Sequence, residues 1–99
     1  MAIEHELLKK VKTSLRISHS ELDVDVADTI EACLADLKVC GVQAPDAADA
    51  LILNAVKLYC RAAYTDDTVK AAAYQARYDS LKACLMMAEG YGGEVVADD

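Results

Sequence analysis

A chain of 99 residues has room for one domain, near the lower end of the size at which a core holds without staples. Its composition is 55% hydrophobic with no Trp, no Phe and one Pro, a mixture that favours helices. The formal charge of -7 opposes any binding mode that depends on neutralising many phosphates, and the charge-free runs are far shorter than the roughly 20 apolar residues of a membrane span.

The opening residues, Met1-Ala2-Ile3-Glu4-His5-Glu6, lack the basic start and long apolar centre of a secretory signal, so the expected location is the cytoplasm. Glu4 to Leu15 then places Leu7, Leu8, Val11 and Leu15 on one stripe and Lys9, Lys10 and Lys12 opposite, which predicts a short amphipathic helix with a basic back.

Arg16 to Ser20 breaks that pattern. Ser20-Glu21-Leu22-Asp23 fits a capping box, with the Ser20 side chain serving an orphan amide. The helix predicted from Leu22 to Cys40 carries Leu22, Val26, Ile30, Cys33, Leu34, Leu37 and Cys40 on its core face, and Gly41 follows where a left-handed cap belongs. Its other face holds Glu21, Asp25, Asp28, Glu31 and Asp36 among Val24, Ala32, Ala35 and Val39, too one-signed and too apolar for a purely solvated surface.

Pro45 builds a turn and Asp46 is placed to cap a third helix reaching about Tyr64. Leu51, Ile52, Leu53, Val56, Leu58, Tyr59, Cys60 and Ala63 cover most of its circumference, and only Asn54, Lys57 and Arg61 form a polar edge. A helix apolar nearly all round is expected at the centre of the fold. After an acidic turn at 65–68, a fourth helix from Val69 to Ala88 aims Tyr74, Tyr78, Leu81 and Leu85 at the core, with Ala72, Ala76, Ala83 and Met87 on its other side. The expected architecture is all-α, a bundle of about four helices over residues 1–91, with 92–99 as a flexible acidic tail. Its core is predicted to contain Leu15, Val26, Ile30, Leu34, Leu37, Leu51, Leu58, Tyr59, Tyr78, Leu81 and Leu85.

Chemistry-bearing patterns are scarce. Cys33, Cys40, Cys60 and Cys84 all fall on apolar helix faces without a C-x-x-C pair, which suits reduced, buried thiols better than disulfides or zinc. Ser18-His19-Ser20 has no third partner to orient a base, and helix carboxylates do not wrap calcium as a twelve-residue loop does. No phosphate-binding glycine loop or nucleophile elbow occurs, so no catalytic set, metal or cofactor is expected.

Charge is separated along the chain: the N-terminal helix is basic, the second helix strongly acidic, and the C-terminal stretch acidic again. Lys9, Lys10, Lys12 and Arg16 could form a solvated face or touch phosphate. The separation favours a third reading, in which they meet Asp25, Asp28, Ala32, Ala35, Asp36 and Val39 of a neighbouring copy in a head-to-tail contact.

Four stretches in order, Leu8-Lys9-Lys10-Val11-Lys12-Thr13-Ser14-Leu15-Arg16-Ile17, then Asp28 to Val42, Leu58-Tyr59-Cys60-Arg61-Ala62 and Tyr78-Asp79-Ser80-Leu81-Lys82, make the chain similar to the small head-tail connector, or adaptor, proteins of tailed bacteriophages. The resemblance covers about residues 7 to 91. It implies a homo-oligomeric ring of roughly twelve copies beneath the portal protein, a closed arrangement built by repeating one contact. Such a ring would sit in the virion neck after assembly in the host cytoplasm. It would lengthen the DNA channel without sequence-specific binding and offer a platform to a stopper or tail-completion protein. The rival readings are a cytoplasmic helical regulator that binds one protein partner and a small nucleic-acid binder using the N-terminal basic face.

Overall fold

The computed structural model describes residues 5–42 and 49–87, and among these it contains four α-helices and no strand. They are α1 (His5–Leu15), α2 (Asp23–Val39), α3 (Ala50–Tyr64) and α4 (Thr68–Met87). The expected start at Glu4, the end at Ala88 and the acidic tail lie outside the described residues, whereas α3 begins at Ala50 with Asp49, not the expected Asp46, as its N-cap.

Helix ends follow local chemistry. Asp49 caps α3: its side chain accepts from the amides of Leu51 (2.9 Å) and Ile52 (3.4 Å). Asp67 does the same for α4, accepting from Val69 at 2.9 Å and Lys70 at 3.1 Å. Each satisfies amides that the first helical turn leaves without partners. The capping box expected at Ser20 does not form. Leu22 is the N-cap of α2 with no side-chain bond, and Ser20 contributes only its backbone carbonyl, to the Asp23 amide at 3.2 Å. Asp23 is engaged elsewhere, in an ion pair with Lys12, so it does not reach back as a box requires.

Both α1 and α2 terminate in the same device. Gly41 has φ 106°, its amide bonds the Lys38 carbonyl (3.1 Å), and the next amide, of Val42, bonds Leu37 (2.9 Å). At the end of α1 the left-handed residue is Arg16, φ 61°, with Arg16 bonded to Thr13 (3.1 Å) and Ile17 to Lys12 (2.9 Å). These are two Schellman closures, one with the usual glycine and one with an arginine in its place.

α3 is the central helix and packs on α1, α2 and α4; α4 leans on α3 and scarcely approaches the other two. The core joins Leu7 and Val11 of α1, Val26, Ile30, Cys33 and Leu37 of α2, Ile52, Ala55, Val56, Leu58 and Cys60 of α3, and Tyr78 and Leu85 of α4, with Val42 closing the end of α2. Leu15, Leu34, Tyr59 and Leu81 are half-buried against it.

Two apolar expectations are corrected. Leu51 is 47% exposed: it stands in the first turn of α3 beside exposed Ala50 and Asn54, and three neighbours do not cover every sector of a helix. Cys84 is exposed and Cys40 half-buried, so only Cys33 and Cys60 sit in the core; all four are free thiols. Burial pushes the Cys33 and Cys60 thiols up to about 12.

Candidate interaction surface

The ten residues expected at a subunit contact separate into two kinds. Lys12, Asp25 and Asp36 are spent within the chain. Lys12 Nζ meets Asp23 Oδ1 at 2.6 Å and ties α1 to the start of α2. Asp25 accepts the hydroxyl hydrogen of Tyr64, at the end of α3, and Thr29 lies 3.4 Å from the same hydroxyl. Asp36 Oδ2 accepts from the Tyr78 hydroxyl at 2.7 Å and from Lys82 Nζ at 3.0 Å, joining α2 to α4.

That last trio links a buried ring to two charged groups. Tyr78 is buried with its ring edge-on to Tyr59, centroids 5.2 Å apart at 71°, and Lys82 lies 5.2 Å over the Tyr78 ring. The Cys33 thiol approaches the Tyr78 oxygen at 3.8 Å. The Tyr78 hydrogen bond, and with it Lys82, holds the Asp36 carboxyl below the usual range despite some burial. Burial and then the bond to Asp36 push the Tyr78 phenol up, and the same carboxylate raises Lys82. The arrangement is a tether with its donors and acceptors matched.

The remaining candidates face outward. Asp28, Ala32, Ala35 and Val39 are exposed and lie on one stripe of α2 together with Val24 and the half-exposed Glu31. Val24 and Val39, at 76% and 86% exposure, are among the most exposed large apolar residues of the described chain. Lys9 and Lys10 are exposed on α1, where the Lys9 carbonyl accepts from Thr13 Oγ1 at 2.9 Å. Arg16 stands apart from them, at the corner where α1 ends.

That corner is a recess of about 500 Å3 walled by Ser14, Leu15, Arg16, Arg61, Tyr64, Thr65, Lys70 and Tyr74. Arg61 Nε donates to Ser14 Oγ at 2.9 Å, and its guanidinium lies 5.9 Å from the Tyr74 ring centre. Of these residues the sequence reading singled out only Arg16 for a contact. Arg61 and Lys70 reach the recess from the ends of two other helices, a meeting that no local pattern signals.

His19 Nδ1 accepts from the Glu21 amide at 3.3 Å in an exposed turn. Among the described residues, no group of three or more His, Cys, Asp and Glu gathers to hold a metal, and no helix is long and apolar enough to cross a membrane.

The model of one protein family, described as phage connector protein, matches residues 7–92. No curated protein and no solved structure matches the chain.

Proposed function

We propose, from the premise that this chain belongs to the phage connector protein family, that it is a structural subunit of the virion neck. Copies of it form a ring under the portal protein, extend the channel through which DNA leaves, and present a platform to a stopper or tail-completion protein. The subunit acts by shape and charge rather than by catalysis.

The observation that carries the reading is the exposed stripe of α2. Val24, Ala32, Ala35 and Val39 offer apolar contact area, and Asp28 and Glu31 give it one sign of charge. A surface of that kind, on a chain that also bears cations elsewhere, suits a heterologous contact, and repetition of such a contact with the right rotation closes a ring. The net charge of -7 fits a channel component that repels the DNA backbone instead of holding it by counterion release.

The test is genetic and visual. Phage produced without this protein should accumulate DNA-filled heads that lack tails, and purified protein added to portal complexes should appear as an extra ring in negative-stain images. Normal tail attachment in its absence overturns the assignment.

A further inference from the structure

The recess at the α1, α3 and α4 corner brings together Arg16, Arg61 and Lys70 with Ser14, Thr65 and Tyr74; its wall contains no carboxylate, and the one that touches it from outside, Asp25, is taken up by the Tyr64 hydroxyl. In a chain with 17 acidic and 10 basic residues, such a grouping is not what composition would scatter there. Among the described residues the two lysine ion pairs are Lys12 with Asp23 and Lys82 with Asp36, and none involves a recess cation. The Ser14 and Tyr74 contacts hold Arg61 in place through Nε and the ring face. Its outer nitrogens keep the fork that a carboxylate matches.

Arg16 adds a second observation. It holds a left-handed backbone that Gly41 adopts without a Cβ penalty at the end of α2. An arginine in that position accepts backbone strain and adds a third cation to the recess wall.

The complement lies on α2. Asp28 and Glu31 are three residues apart, neighbours on the helix surface, and neither has an ion-pair partner among the described residues. We propose that the recess receives the Asp28 and Glu31 carboxylates of a second copy of this chain, with the flanking Val24, Ala32, Ala35 and Val39 covering the apolar rim. The contact rests on the ring reading above and replaces Lys9, Lys10 and Lys12 as the basic side. Cations gathered in a concave wall focus the field toward an arriving carboxylate and set the register, while the apolar flanks supply area. Nucleic-acid phosphate is disfavoured as the occupant by the overall charge.

The experiment uses two full-length variants. One reverses the recess with Arg16→Glu and Lys70→Glu, both exposed positions; the other reverses the stripe with Asp28→Lys and Glu31→Lys. Circular dichroism checks that each keeps the parent's helix content, and sedimentation velocity at low salt, with and without portal protein, reads association. Each variant alone should associate about tenfold or more weakly than the parent, and an equimolar mixture should recover assembly, because each reversed surface then meets its complement. Variants that assemble like the parent, or a mixture that stays dissociated, overturn this contact and leave the ring reading standing. DNA binding by the parent that the recess reversal abolishes would also overturn it. A parent that remains monomeric at every concentration and beside portal overturns the ring reading and the contact with it.

Discussion

Tyr78 donates its hydroxyl hydrogen to Asp36 across 2.7 Å, and this bond joins α4 to α2, two helices whose backbones scarcely approach each other. The ring of Tyr78 belongs to the core and its oxygen to the surface tether. Tyr78→Phe keeps the ring and removes the bond, so it should cost about 1.5 to 3 kcal/mol, the range for a hydrogen bond to a charged group. Urea denaturation measures it; an unchanged midpoint would mean that Lys82 alone secures Asp36.

The same trio sets a pH dependence. Asp36 has a folded pKa below its unfolded value, so its contribution is present above about pH 4 to 5 and is lost as pH falls toward the depressed value. Lys82, raised by Asp36, contributes below its unfolded pKa and loses that contribution as pH rises through the folded one. Asp36→Asn should therefore flatten the acid limb of a stability profile below about pH 5 relative to the parent. A parallel acid limb in the variant would assign acid sensitivity to other carboxylates.

Burial separates two leucines that look alike in sequence. Leu58, 8% exposed in the central helix, should cost about 2 to 5 kcal/mol when truncated to Ala. Leu51→Ala, at a position 47% exposed, should change stability by about 1 kcal/mol or less. Thermal melts of both variants decide it, and equal losses would mean that Leu51 is covered.

Much of this fold is legible in the helical period, because a 3.6-residue repeat states which face of a segment must be hidden. Val26, Ile30 and Leu37 recur at that spacing and are fully buried. Period says nothing about partners distant in sequence. Asp36 lies on the polar side of α2, the face that the charge pattern assigns to a neighbouring copy, yet a tyrosine 42 residues later in the same chain bonds it. The one hint was local: Tyr78 and Lys82 are four residues apart on α4 and so converge on a single point. Leu51 fails for the opposite reason, since apolar composition does not reveal how many sides of a helix find neighbours. The recess is the least legible feature, because the end of α1 meets the α3–α4 turn, and its Ser14 bonds a residue 47 positions later in the chain.

The two left-handed helix ends should respond in opposite directions. Gly41→Ala introduces a Cβ at φ 106° with nothing within 4 Å to clash, so its cost, about 1 to 2 kcal/mol, is backbone strain alone. Arg16→Gly removes such strain and should raise stability by about 0.5 to 1 kcal/mol. If the recess meets a neighbouring copy, that more stable variant should also assemble less well. Paired melting and sedimentation measurements would expose the trade.

The thiols provide a probe of the native state. Cys33 and Cys60 are buried, with pKa values pushed up to about 12, whereas Cys84 is exposed. Alkylation at pH 8 followed by mass spectrometry should modify Cys84 first, Cys40 more slowly, and Cys33 and Cys60 only with unfolding. Early labelling of Cys33 would show that the core around Tyr78 opens on its own.

α4 is paired with α3 over its 20 residues, the most extensive helix–helix contact among the described residues, and the tether to Asp36 adds a link to α2. Amides in the more lightly packed α1 and α2 can exchange with solvent through a partial opening whose free energy is below that of global unfolding. Cooperativity in this molecule should therefore be unequal: the α3 and α4 pair opens last, and α1 and α2 have a lower exit. The Tyr78 and Leu85 side chains, buried in the shared core, set the height of the step between the two.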